Sequence, residues 1–260
     1  MTLFVRSIYL ASFLSLAYIF VLYRGHPWRR LPPPPVLLAF AAGMLSVLPV
    51  LLVHQALPAT EGAAGGESAF VVAGIEEGLK LVVGLLLVWR WRSPEVIEPI
   101  DLAVYFAVFG TGFAVLEDLW YIFGATRLPW LAGDLARFRE SLGFVVLARA
   151  FPGHILFGAF AGLLVGRARF ARGRGRTLAW LAGALAVGVV LHAAFNMIAA
   201  DLGQIVLLIY VVVLTGGLVA TRRWAAERSP FRSVIEVATG AVQEGGAPHS
   251  GVELLLADGF

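Results

Sequence analysis

Three ionisable residues lie in the middle of an apolar stretch that is long enough to cross a lipid bilayer. The stretch covers residues 68–89, SAFVVAGIEEGLKLVVGLLLVW, and the three residues are Glu76, Glu77 and Lys80. Each ionisable group at the centre of a spanning helix costs roughly 2.5–3.5 kcal/mol of insertion free energy. On a helix, Lys80 lies one turn from both acids, so its ammonium can contact both carboxylates and offset part of this cost. Because two carboxylates share one ammonium, one negative charge remains to be neutralised by a group on another helix.

Lys80 is also the only lysine in the chain, beside nineteen arginines. A compact ammonium on a flexible stem differs from a planar guanidinium in what it can contact. The single exception among the basic residues therefore indicates a specific supporting role for Lys80.

Further residues able to do acid–base or metal chemistry lie in later apolar runs: Glu117, Asp118, His154, His192 and Asn196. Ionisable groups inside membrane spans are costly and mark functional sites by default. Asp118 points about 100° away from Glu117 on a helix, so we interpret it as a hydrogen-bonding neighbour. His54 lies near the end of an earlier run, where a structural or interfacial role is the simpler interpretation.

The elements that carry these residues are apolar runs of spanning length. We assign seven of them, to residues 8–23, 36–57, 68–89, 100–124, 143–166, 177–200 and 203–220. An amphipathic segment at 128–142 suits a helix that lies in the membrane interface. With 59% hydrophobic and 14% charged residues, the chain is predicted to be an all-α polytopic membrane helix bundle. We expect a transmembrane domain at 1–222 with its core at 68–200, followed by a flexible cytoplasmic tail at 223–260.

The distribution of arginine predicts the orientation of the bundle. The loops after the first, third, fifth and seventh runs hold three, two, five and at least two arginines, whereas those after the second and sixth hold none. The positive-inside rule then places the N-terminus outside and the C-terminus in the cytoplasm. The chain has no cysteine, which excludes disulfides, thiolate metal sites and a cysteine nucleophile. No nucleic-acid-binding motif is present, and we expect no nucleic-acid partner.

Depth and helix face both predict that the polar residues meet. Counted from the outer ends of their runs at 1.5 Å per residue, Glu76, Glu117, His154 and His192 lie roughly 10–17 Å below the outer boundary. Small residues recur every four positions after His154, at Gly158, Gly162 and Gly166, and before His192, at Gly188 and Ala184. Small residues let membrane helices approach closely, so these stripes are expected to face neighbouring helices.

The inventory of side chains suits activation of water. The chain lacks a GxSG serine motif, a GxGD aspartyl motif and an HExxH zinc motif. In one scheme, a carboxylate of the Glu76/Glu77 pair activates water with help from Glu117, while an imidazole or Asn196 stabilises an oxyanion. In the other, Glu117, His154 and His192 bind a divalent metal such as zinc. Spacing does not choose between the two schemes.

Four sequence blocks resemble the motifs of the PrsW family of intramembrane proteases, which is related to the CAAX-processing endopeptidases. They are EEGLK at 76–80, DLAVYFAVFGTGFAVLED at 101–118, RAFPGHILFGAFAGLLVG at 149–166 and LHAAFNMI at 191–198. The resemblance covers residues 68–200. It implies active-site positions at Glu76, Glu77, Glu117, His154 and His192, with Asn196 at a position that takes Asp or Asn. Asp118 stands where the family commonly has Asn.

The resemblance also implies a function: peptide-bond hydrolysis in a bacterial cell membrane, on single-span or other membrane-protein substrates. PrsW proteins are described as metallopeptidases and the CAAX relatives resemble glutamate-based enzymes, so both schemes stay open. The outward depth of the polar layer predicts cleavage near the outer membrane face, as in a first cut that releases a membrane-tethered regulator. A proton-coupled transporter or channel and an inactive membrane scaffold are the alternatives, because buried acids and imidazoles also suit proton relays.

Overall fold

The computed structural model describes residues 31–56, 66–90, 98–149 and 151–227, and the single positions 17 and 20. Over the four ranges the chain forms α-helices and no strand, which confirms the all-α prediction for this part of the chain. The helices are α1 (Pro33–Ala56), α2 (Gly66–Arg90), α3 (Pro99–Leu131), α4 (Leu135–Arg149), α5 (Gly153–Arg169), α6 (Arg174–Met197) and α7 (Gln204–Glu227). A π-helical turn, Ile198–Leu202, joins α6 to α7.

Among the described residues, four helical segments are long and apolar enough to cross a membrane: α1, α3, α6 with its π-helical turn, and α7. Two other predicted spans are helical but differ from these four in charge or in length. Helix α2 carries Glu76, Glu77 and Lys80, and α5 has only 17 residues. The predicted first span at 8–23 lies almost entirely outside the described residues. Helix α7 continues to Glu227, so residues 223–227, predicted as tail, are helical.

Helix α3 is the centre of the bundle. It begins at a capping box, in which the Glu98 backbone N–H donates to Asp101 Oδ2 at 2.9 Å, and Pro99 occupies the first turn. Residues 100–114 are buried without interruption. A helix that is apolar on every side can face either lipid or protein, and here α3 is surrounded by protein, packing against α1, α4 and α5.

Glycines set the distance between α3 and its neighbours. A Cβ added at Gly158 would collide with the carbonyl oxygen of Phe106, and one at Gly162 with that of Leu102. On the other side of the contact, a Cβ at Gly110 would meet the carbonyl oxygen of His154. The small-residue stripe of α5 therefore faces α3 at backbone contact distance, as the spacing of these glycines predicts.

The predicted span at 143–166 is wrong as a single helix. Helix α4 ends at Arg149, and α5 begins at Gly153 after Pro152, which has φ −80° and ψ 51°. Proline lacks a backbone N–H and disfavours a helical residue before it, so the chain breaks here. As a result His154 lies in the first turn of α5 rather than in the middle of a long span.

The predicted interfacial helix at 128–142 is also divided. Helix α3 runs on to Leu131, and a turn containing Gly133, whose φ is +69°, precedes α4. Of the predicted apolar face, Phe138 and Leu142 on α4 are buried, whereas Leu128 and Leu131 on α3 are largely exposed. The turn between α3 and α4 divides the predicted apolar face into two parts. The apolar residues of α4 therefore pack toward α3, whereas the leucines before the turn do not share that direction.

Candidate active site

The Lys80 ammonium lies at the centre of a buried polar cluster. It donates to Glu77 Oε1 at 2.8 Å and lies 3.4 Å from Glu76 Oε2. Its third contact is His154 Nδ1 on α5, at 3.0 Å. An ammonium has three N–H donors, so these three acceptors account for all of them. The pairing of Lys80 with both acids confirms the contact that helix spacing predicts, and the contact with His154 extends it to a second helix.

Glu117 and His154 form the shortest polar contact between helices in this cluster. His154 Nε2 lies 2.7 Å from Glu117 Oε2. Because an ammonium can only donate, His154 Nδ1 must accept the Lys80 proton, and Nε2–H is then the donor to Glu117. The imidazole is held from both sides, by a cation on one nitrogen and a carboxylate on the other.

His192 is oriented by Glu77 in the same manner. His192 Nδ1 lies 2.9 Å from Glu77 Oε1 and 3.9 Å from Glu76 Oε2. Donation from Nδ1–H to the Glu77 carboxylate leaves a lone pair on Nε2. A carboxylate behind an imidazole fixes its tautomer and raises its basicity, which is how metal-ligating and proton-accepting histidines are prepared.

Aromatic rings enclose the cluster. The Phe113 ring centroid lies 3.7 Å from Lys80 Nζ and 5.1 Å from the His154 ring centroid. The Phe157 ring stacks on His192 at 5.3 Å, and the two imidazoles meet edge to face at 4.9 Å. A cation over an aromatic face is attracted by the ring quadrupole, so Phe113 helps to hold the desolvated ammonium.

The structure brings the predicted site residues to one place. Seven of the predicted site residues are at most 9% exposed: Glu76, Glu77, Lys80, Glu117, Asp118, His154 and His192. Between 13 and 18 residues separate the glutamates and the imidazoles from the ends of their helices that adjoin arginine-containing loops, which is roughly 20–27 Å along the axes. The hydrocarbon core is about 30 Å thick, so the cluster lies in the half of the bundle farther from the arginine-rich ends.

Two cavities flank His154. The first has a volume of about 10 Å³, close to that of one water molecule, and is lined by polar and aromatic residues of α3, α5 and α6, among them Asp118, His154, His192, Asn196 and Phe195. The second has a volume of about 20 Å³ and is lined by Glu77, Lys80, Phe106, His154, Ala184 and Leu185. Asp118 and Asn196 thus border the same cleft as the two imidazoles.

Three residues are grouped closely enough to hold a metal ion. One ligand atom each from Glu76, His154 and His192 lies within 4.8 Å of the others. One carboxylate and two imidazoles form a common ligand set of hydrolytic zinc sites, so the donor chemistry fits a divalent metal. The sequence suggested Glu117 as the carboxylate ligand, but the structure groups Glu76 with the imidazoles and pairs Glu117 with the far nitrogen of His154.

His54 is closer to the cluster than its position near a helix end suggested. Its Nε2 lies 3.8 Å from Glu76 Oε1, and its side chain is 20% exposed. Sequence spacing gives no signal for this contact, because His54 lies in the last turn of α1 whereas Glu76 lies ten residues inside α2.

A bundle of apolar helices around a buried layer of acids and imidazoles defines a polytopic membrane protein with a polar site inside the membrane. A family model described as PrsW family intramembrane metalloprotease matches residues 31–220, and the chain belongs to this family. The matched range contains every residue of the cluster. The chain is therefore an integral membrane protein of a protease family.

Two relatives carry the name "Protease PrsW". One, from Clostridioides difficile (strain 630), is 27% identical over 150 residues, which cover 56% of this chain and 58% of that protein. The other, from Bacillus subtilis (strain 168), is 27% identical over 187 residues, which cover 71% of this chain and 78% of that protein. The match thus spans little more than half of the first relative's length. No solved structure matches the chain.

Proposed function

We propose that the protein hydrolyses peptide bonds of membrane-protein substrates inside or beside the bilayer. The observation that carries this proposal is the continuous chain of contacts from Glu76 and Glu77 through Lys80 to His154 and Glu117, with His154 and His192 lining a cleft. Water that enters this cleft would meet the imidazoles first, and the carboxylates lie behind them.

Glu76 is the acid that we assign to accept the proton of the attacking water. Glu77 accepts close hydrogen bonds from Lys80 and His192, and Glu117 accepts one from His154. The contacts of Glu76 are longer, at 3.4 Å to Lys80 and 3.8 Å to His54. Its carboxylate therefore keeps the most capacity for a new partner, while Glu77 and Glu117 orient the imidazoles.

The cleft supplies the groups that would face the substrate. Asn196 and His192 line it: the side-chain N–H groups of Asn196 can donate to a carbonyl oxygen, and His192 Nε2 can accept a proton from water or an amide. Stabilisation of the developing oxyanion by donors of this kind is worth about 10²–10³-fold in rate. Phe157 and Phe195 in the same wall suit apolar side chains of a transmembrane substrate.

A metal-dependent form of the same mechanism uses the same residues. Glu76, His154 and His192 would hold the ion, and Glu77 and Glu117 would fix the two imidazoles from behind. A divalent metal at this position supplies Lewis-acid polarisation of a carbonyl and a more acidic bound water.

The depth of the site supports cleavage near the outer membrane face. The cluster lies in the half of the bundle away from the arginine-rich ends, which the positive-inside rule assigns to the cytoplasm. A single-span substrate cut near its outer juxtamembrane region would release a product suited to a second cut, as in the stepwise release of a membrane-tethered regulator.

Reconstitution into lipid vesicles with candidate single-span substrates tests the proposal. Glu76→Gln, Glu117→Gln and His192→Ala are each expected to lower cleavage by about 10²-fold or more. Glu140→Gln, on the exposed side of α4, is the matched control and should cleave like the wild type. Cleavage that survives all three site substitutions would contradict the proposed active site.

Mass spectrometry of the products locates the cut, and a cut on the cytoplasmic side would contradict the outer position.

Chelation followed by addition of zinc, in the same assay, separates the two forms of the mechanism. Loss of cleavage that zinc restores supports the metal-dependent form. Undiminished cleavage after complete removal of metal supports activation of water by Glu76 alone.

A further inference from the structure

The ammonium of Lys80 lies where a metal ion would have to bind. Two of the three residues grouped as metal ligands, Glu76 and His154, are contacts of Lys80 Nζ, at 3.4 Å and 3.0 Å. The third, His192, shares Glu77 Oε1 with the ammonium. The cluster therefore already contains a cation at its centre, the side-chain ammonium of Lys80.

The lone pair of His154 cannot serve both cations at once. Nδ1 accepts a proton from Lys80, and Nε2 is bound to Glu117. An imidazole offers one lone pair, so a metal ion can bind His154 through Nδ1 only after the Lys80 N–H has left it. The carboxylate behind Nε2 already has the position that orients a metal-ligating imidazole.

A metal ion needs its ligands closer together than an ammonium needs its acceptors. Acceptors about 3 Å from a tetrahedral nitrogen lie about 4.9 Å apart, whereas ligands about 2.05 Å from zinc lie about 3.4 Å apart. Binding of a metal in place of the ammonium would therefore draw Glu76 and His154, now 3.4 Å and 3.0 Å from Lys80 Nζ, closer together.

The second cavity, beside Lys80, has a volume of about 20 Å³, which is enough for one group the size of a water molecule or an ammonium. Lys80 and Glu77 line the second cavity, whose other walls include Leu81, Phe106 and Ala184. The lysine stem is flexible, with four rotatable carbons, so the ammonium can turn into this cavity while it stays near Glu77.

We propose that the Lys80 ammonium and a divalent metal ion are alternative occupants of one acidic niche. In the metal-free state Lys80 neutralises Glu76 and Glu77 and holds His154 in place; a metal binds only by displacing the ammonium. The proposal rests on the metal-dependent form of the proposed function, but it is tested by metal binding rather than by cleavage, so the two can fail separately.

The first measurement is the zinc affinity of the full chain in lipid nanodiscs, by competition with a chromogenic chelator. Lys80→Met removes the competing charge at similar volume and should bind zinc at least about tenfold tighter than the wild type. Lys80→Arg keeps the charge and should show no gain. Addition of Glu76→Gln to Lys80→Met should abolish the gain, which places the bound zinc at this site. Equal or weaker binding by Lys80→Met, including no binding by either protein, would overturn the proposal.

The second measurement uses the wild type and needs no substitution. Because Lys80 is the only lysine, incorporation of lysine labelled with ¹⁵N at Nζ gives one side-chain signal. Saturation with zinc should shift this signal and speed the exchange of its protons with solvent, since the contacts with His154 and Glu76 are lost. Stoichiometric zinc binding with an unchanged Nζ signal would show that the ammonium stays in place, and would refute the exchange.

Discussion

At the scale of single residues, the site is a set of imidazoles each fixed by a charged neighbour. Glu77 orients His192, and Glu117 with Lys80 orients His154. Each of these contacts joins different helices, so none can be formed by a helix on its own. The cost of burying the charged groups is offset only in the assembled bundle, because truncation of one partner leaves the other buried and uncompensated.

His54 is the residue whose role the structure changes most. Its 3.8 Å separation from Glu76 is longer than a hydrogen bond and suits a bridge through water. We expect His54→Ala to lower cleavage by less than about tenfold, whereas His192→Ala lowers it by about 10²-fold or more. Initial rates in the vesicle assay measure both. His54→Gln, which can still bind water, should recover most of the activity; a loss for His54→Ala as large as that for His192→Ala would instead place His54 among the catalytic groups.

At the scale of helices, the position of His154 depends on how closely α5 approaches α3. The carbonyl oxygen of His154 lies against Gly110, where no Cβ fits. This contact fixes the first turn of α5 against α3 two turns before Glu117, within reach of the His154 side chain. The glycine thereby sets the distance over which the imidazole reaches its carboxylate.

Gly110→Ala is expected to disturb both packing and the site. The added Cβ meets backbone, which cannot move aside as a flexible side chain would, and overpacking of this kind costs about 1–3 kcal/mol of unfolding free energy. Gly124→Ala in the same helix is the matched control, because its Cβ meets nothing within 4 Å. Denaturant unfolding in mixed micelles measures stability, and equal stability of the two variants would argue against a tight α3–α5 contact.

The sequence predicted which polar residues meet, but not how they are paired. Ionisable groups inside apolar runs are so costly that Glu76, Glu117, His154 and His192 had to face the interior. Glu76 and Glu117 lie at similar depths, however, and the choice of metal ligand depends on side-chain direction, which spacing does not give. The break at Pro152 was missed because the residues on both sides of it are apolar, so a hydropathy profile shows one continuous apolar run.

At the scale of the whole molecule, α5 runs antiparallel to α3, because Gly158 lies against Phe106 and Gly166 against Pro99. The arginine-rich loop between α5 and α6 therefore lies at the end of α3 opposite its turn to α4. This arrangement gives the predicted orientation a direct test. The two turns must lie on opposite sides of the membrane, whichever side each one occupies.

Single cysteines at Ala132 and Arg172, both exposed, provide that test in a chain without native cysteine. A membrane-impermeant maleimide added to intact cells should label Ala132→Cys, and should label Arg172→Cys only after the membrane is opened. The reverse pattern would invert the predicted orientation and with it the side on which substrates are cut. Labelling of both positions from one side would contradict the bundle itself.

The burial of α3 has a consequence for how the surrounding lipid acts on this protein. Hydrocarbon chains touch the broad apolar faces of α1 and α7, where leucines and valines are exposed, whereas residues 100–114 of α3 meet only protein. A thinner or thicker bilayer would therefore tilt the peripheral helices first, at a modest energetic cost per ångström of mismatch. The spacing between Glu117 and its imidazole is insulated from that adjustment, so the chemistry should tolerate membranes of different thickness better than the entry of substrate does.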